Sequence, residues 1–229
     1  MEVYGFKIEP GANLQGKNLQ GANLENANLS GANLVRAWLC RADLQGADLS
    51  GADLFEARLG HVNLKYANLQ NADLDCADFT NINGADNYPR KYANLEGANL
   101  EGAHLMWANL RNANLRNANL KGANLQKAIL IGANLENANL EGAYLPYVSF
   151  YLANLKGANL KYSRLEYSNF EYADLEGADL RHANFYDFYN YPKPSELRRY
   201  PRLHNVLNHA NLKDVYLEGA RMPDGTIHD

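Results

Sequence analysis

The chain has 229 residues and a formal net charge of −4, and Leu, Ala and Asn alone supply 35, 31 and 31 of them. A mixed globular core draws on Val, Ile, Phe and Met as well, so this composition points to a repeat architecture. The acidic balance excludes a general nucleic-acid-binding surface, which is strongly basic, and two cysteines, Cys40 and Cys76, cannot form a disulfide framework.

The opening string MEVYGFKIEP lacks the basic and apolar regions of a secretory signal. No apolar run approaches the roughly 20 residues that cross a bilayer. A cytoplasmic protein without membrane contact is therefore expected.

A period of five begins at Leu14. From Leu14 to Phe79 a large apolar residue recurs at every fifth position, 14 times in a row. It recurs 19 times from Leu95 to Phe185, and three times more at Leu212, Leu217 and Met222. Of these 36 central residues, 31 are Leu, and 30 have Ala two positions earlier. The exceptions at that small position are Lys17, Val62, Val148, Ser163, Ser168 and Val215. The unit reads A-(N/D)-L-x-x.

Five fits neither regular structure. On a helix it scatters Leu around the axis, and on a long strand it sends successive Leu to opposite faces. Within one unit, however, Ala and Leu are two apart and point the same way on an extended segment. If the chain turns a corner after each unit, every Ala–Leu pair faces inward. Four corners close a coil of 20 residues, and coils stack about 4.8 Å apart. Gly and Asn near the corner suit a turn that needs positive φ.

This pattern resembles the pentapeptide-repeat family, whose fold is a right-handed quadrilateral β-helix, an all-β solenoid. The family includes gyrase-protecting DNA mimics, cyanobacterial proteins of unknown role and one that modulates heterocyst differentiation. The C-terminal string from Met222 to Asp229 resembles the ends of several cyanobacterial members. The resemblance is specific for the fold and weak for function; a regulatory role is one of those it allows.

Two breaks interrupt the period. Phe79 and Leu95 are 16 apart, which is one step of five plus an excursion over 82–92. Phe185 and Leu212 are 27 apart, which is one step of five plus a longer excursion over 188–209. The expectation is a single solenoid over 1–229, about nine coils long, with repeats at 12–81, 93–187 and 210–224.

Naming the faces by Leu14, Leu19, Leu24 and Leu29 sorts the outward residues. The third face runs Glu25, Gln45, Lys65, Glu96, Arg116, Glu136, Lys156, Glu176, and the fourth carries a similar alternation. Opposite charges one coil apart are favourable neighbours, so both read as solvated ladders. The first face instead presents Val35, Phe55, Met106, Trp107, Tyr144, Pro146, Tyr147 and Tyr167. The second presents Trp38, Arg58, His61, Ile129, Ile131, Tyr151, Leu152 and Tyr172. Trp38 and Arg58 are one coil apart and suited to a cation–π pair. The second excursion, rich in Tyr and basic residues, falls at the corner that these two faces share.

Aromatics with Arg, framed by polar surface, are the composition of interaction sites. The candidate partner-binding residues are Trp38, Phe55, Trp107, Tyr147, Tyr151, Tyr167, Arg198 and Arg199. Aromatic stacking that merely stabilises the sheet is the competing explanation, and self-association into a homodimer is another. Catalytic and cofactor sites are not expected, because Ala and Leu fill the interior and leave no pocket. A near P-loop string at Gly11–Asn18 lacks the final Ser/Thr and follows from period-five Gly. The six His are dispersed, and no Cys/His spacing matches a metal site; His204, His209 and His228 approach one another at most near the C-terminal end. The expected function is a rigid scaffold for a protein partner. The alternatives are a DNA mimic that binds a type II topoisomerase such as gyrase, and a structural or stress protein without a partner.

Overall fold

The computed structural model describes residues 1–80 and 92–185, together with Tyr216. It is a right-handed quadrilateral β-helix. Parallel one-residue bridges join positions 20 apart, as in Asn13↔Asn33 and Asn33↔Asp53. Each side of a coil is one bridge long because a corner follows every central residue. Eight complete coils, from Leu14 to Leu180, lie within the described residues.

The repeat centred on Leu120 shows how one unit works. Its N–H donates to the Asn139 carbonyl at 2.7 Å, and the Asn139 N–H returns to the Ala118 carbonyl at 2.9 Å. The corner closes when the Ala123 N–H donates to the Leu120 carbonyl at 3.1 Å. The second corner residue, Gly122, has φ +63°, the left-handed geometry of a type II turn. Asn119 Oδ1 accepts the Lys121 N–H at 3.3 Å and Asn139 Nδ2 at 3.1 Å. Asn thus shapes its own corner and ties it to the next coil.

The interior holds the Ala and Leu columns, and every described central residue is buried. Polar inward residues are satisfied: Ser163 Oγ donates to the Leu160 carbonyl at 2.7 Å and Ser168 Oγ to the Leu145 carbonyl at 2.5 Å. Beside Ser168 and Val148 Phe replaces Leu, and Phe150 and Phe170 stack at 4.7 Å between centroids. Lys17, at an inward position of the first coil, escapes to solvent with its Nζ 5.3 Å from the Phe6 ring. A hairpin of β1 (Glu2–Val3) and β2 (Phe6–Lys7) covers that end, and Ile8 is buried behind it.

Both interruptions leave a trace in the register. Asn63 bridges Asn94, where an unbroken period would bring position 83 beside it, so the first excursion adds to one coil without changing the face. Most of 82–92, and all of 188–209, 210–215 and 217–229, lie outside the described residues. Tyr216 corrects the register expected at the C-terminal end. An excursion over 188–209 sets Tyr216 beside Asp174 on the third face, but it bridges Asp179 on the fourth. The second break is therefore one repeat shorter than expected.

The third and fourth faces form the expected ladders. Lys65–Glu96, Arg116–Glu136, Lys121–Glu141 and Lys156–Glu176 pair across coils at 3.1–3.6 Å. Asn side chains bond along the same faces, as from Asn63 to Asp43 and from Asn159 to Asn139. Leu120→Ala leaves a cavity that fixed coils cannot close and should cost about 2–5 kcal/mol. Lys121→Ala should leave the denaturation midpoint near the parent value; equal losses in chemical denaturation would mean that inside and outside are misassigned. At the ladder's end, hydrogen bonds from Arg181 and from Lys161 hold the Asp179 carboxyl at about 2, although burial opposes them. A depressed carboxyl stabilises the fold above its unfolded value near 4 and loses that contribution as pH falls toward 2. Carboxyl-carbon NMR should find the Asp179 midpoint near 2 and rising in Arg181→Ala.

Candidate interaction surface

Whether a residue sits at the left-handed corner is set by register alone, and the residue type there differs by face. On the third face that column is Asn26, Gly46, Tyr66, Gly97, Asn117, Asn137, Gly157, Gly177. Gly and Asn, which fill all but one of these places, tolerate positive φ. On the first face the column is Gly16, Arg36, Glu56, Cys76, Trp107, Lys127, Tyr147, Tyr167. Seven of those eight are neither Gly nor Asn, and Trp107, Tyr147 and Tyr167 have φ of +63°, +61° and +60°. A bulky residue there is an outlier that sequence could avoid with Gly. The fourth face resembles the third, with Tyr162 and His182 as its exceptions, while the second carries Arg41, His61, Leu152 and Tyr172.

The first-face corner column forms the edge between the first and second faces. Its members pair from coil to coil. Arg36 and Glu56 form an ion pair at 2.5 Å, and their hydrogen bond raises the Arg36 guanidinium further. The Lys127 ammonium lies 4.4 Å from the Trp107 ring centroid. Tyr147 and Tyr167 stack at 4.8 Å with 13° between planes. Trp107 is 53% exposed and Tyr147 49%. Arg164 sits over Tyr144 at 4.9 Å and is held by buried Glu166, whose Oε1 also accepts from Asn184.

The second face continues this surface. Arg58 covers Trp38 at 4.4 Å, the pair that one-coil spacing suggested. Tyr151 meets Tyr172 edge-on at 5.6 Å, beside exposed Leu152. Of the sequence candidates, Trp107, Tyr147 and Tyr167 share the edge, Phe55 lies half-buried on the first face, and Trp38 and Tyr151 lie on the second. Arg198 and Arg199 fall outside the described residues. Sequence reading missed Arg36 and Lys127, whose signal is their place in the corner column.

It also missed a cluster on the first face. Asp73, Asp75 and His104 bring one ligand atom each within 4.8 Å of one another. Asp73 and His104 are bridge partners across the first interruption. Burial pushes the Asp75 carboxyl up, against the pull of the Met106 N–H.

The family model described as pentapeptide repeats matches in eight copies, over residues 11–46, 52–83, 91–126, 103–142, 123–161 and 149–187. The chain belongs to the pentapeptide-repeat family. Among solved structures it is 31% identical to HetL, a pentapeptide-repeat protein involved in heterocyst differentiation regulation from the cyanobacterium Nostoc sp. strain PCC 7120. That match covers 97% of this chain and 93% of HetL with a TM-score of 0.44. QnrB1, a plasmid-mediated fluoroquinolone resistance protein, is 16% identical over 89% of this chain and 90% of its own, with a TM-score of 0.45. Rfr23 from the cyanobacterium Cyanothece 51142 is 26% identical over 75% and 91%, with a TM-score of 0.29. No curated protein sequence matches the chain.

Cys40 and Cys76 are free, the first half-buried and the second exposed. In the folded state both should take up a thiol reagent, and the intact mass should equal that of the reduced chain. A mass two units lower, with both protected, would refute this.

Proposed function

We propose that the chain is a non-catalytic scaffold whose first and second faces, meeting at the Trp107–Tyr147–Tyr167 edge, dock a partner protein. The observation that carries this reading is the corner column. Bulky residues occupy left-handed positions on the first face where the third face uses Gly or Asn. Strain kept at a surface position argues that the side chain is needed outside the molecule. The residue types agree, since Trp, Tyr and Arg dominate binding hot spots. Among the described residues, an interior filled by Ala and Leu supplies rigidity.

A DNA mimic needs an unbroken run of negative charge in place of phosphates. Here carboxylates of the third and fourth faces pair with Lys and Arg one coil away. The scaffold reading is therefore preferred.

The edge makes an unusual forecast for mutants. Trp107→Gly and Tyr147→Gly each relieve a left-handed strain of about 1–2 kcal/mol. Each also loses a ring contact worth about 0.5–1.5 kcal/mol. The thermal midpoint should thus stay close to the parent value, while partner capture from the source cell is lost. A partner still captured by the double variant would end the reading. Light scattering at micromolar concentration separates a self-partner: a dimer that becomes monomeric in the double variant assigns the edge to a second copy.

A further inference from the structure

We propose that Asp73, Asp75 and His104 form a binding site for a single divalent first-row metal ion. The site lies on the first face and is built from this chain alone, without a protein partner. Its donor set is two carboxylates and one imidazole, chemistry that suits zinc, cobalt or manganese and leaves further positions open to water. The ligand atoms lie within 4.8 Å of one another. Ligand bonds of about 2.0–2.2 Å require them to draw closer on binding.

The scaffold beneath is fixed. The Leu74 N–H donates to the His104 carbonyl at 2.7 Å, and the His104 N–H to the Ala72 carbonyl at 2.9 Å. Each carboxylate has one oxygen anchored. Asp73 Oδ1 accepts the Asp75 N–H at 2.9 Å, and Asp75 Oδ1 accepts the Met106 N–H at 2.6 Å. Each Oδ2 is without a partner among the described residues. Carboxylate ligands are commonly oriented by such a bond on the other oxygen.

The charge balance points the same way. On the third and fourth faces an Asn amide donates to the side chain one coil below, or a Lys or Arg neutralises it. On the first face Asp53 bridges Asp73 directly. Two ionised carboxylates supply no donor, and like charges facing across strands repel. Among the described residues neither Asp73 nor Asp75 has a Lys or Arg within ion-pair distance. A bound dication supplies the charge that this stretch of the ladder lacks.

The test uses the full chain carrying Cys40→Ser and Cys76→Ser, so that thiolates cannot account for uptake. Zinc chloride is titrated by calorimetry, and cobalt chloride by its visible absorption. One equivalent should bind saturably. His104→Gln and Asp75→Asn should each weaken binding at least tenfold, with unchanged circular dichroism and thermal midpoint in the metal-free state. His104 is exposed, so its substitution does not threaten the fold. Absence of saturable uptake at millimolar metal overturns the proposal. So does uptake that His104→Gln leaves unchanged, which would place the metal at other histidines.

Discussion

A typical repeat makes three backbone hydrogen bonds to the repeat one coil away, and every outward side chain takes its position from them. The Leu N–H reaches up to the next coil and the residue above returns a bond, as between Leu120, Asn139 and Ala118. This fixes the step from coil to coil. It also fixes which residues form columns: a side chain's neighbours are set by sequence position plus 20, or by the same step lengthened by the excursion where the first interruption intervenes. Packing alone would not do this, because any Ala–Leu pair fits any side of the interior.

That rule is why so much of the fold is legible from sequence. The inward columns announce themselves by composition, and the corners by Gly and Asn. The two ladders follow from charge alternation at the coil spacing, and the Trp38–Arg58 pair from the same spacing. What escapes is whatever depends on register beyond an interruption. Tyr216 lies one face away from the place that the expected excursion gives it, and sequence spacing alone does not fix how far a break carries the chain round the coil. Asp73 and His104 are neighbours in space, but with the first excursion between them they look like scattered surface groups. Only a column that carries the length of that excursion joins them. The left-handed strain at Trp107 or Tyr147 is equally invisible without the register, because the same residue one place earlier carries none.

The four sides of a square coil are equivalent as far as the core is concerned. Their outsides are not. The third and fourth faces repeat one solution, amide on carboxylate or amide and cation on anion, from coil to coil. The first and second faces change from coil to coil: an ion pair at Arg36–Glu56, an acidic patch at Asp73–Asp75, then Trp, Lys and stacked Tyr. The inside echoes this asymmetry, since Phe150 and Phe170, with Val148 and Ser168 beside them, lie under the second face.

The pairing along the strained edge follows from how a solenoid distributes stability. Each coil is supported by its two neighbours only, so local strain cannot be spread over the whole rod. A bulky residue at a left-handed corner must be offset by contacts of its own coil or an adjacent one. Along the first-face edge this is what occurs: Trp107 meets Lys127, Tyr147 meets Tyr167, and Arg36 meets Glu56, each one coil away. Such contacts are worth about 0.5–1.5 kcal/mol for ring pairs, the same order as the strain. The edge therefore comes out close to neutral in stability.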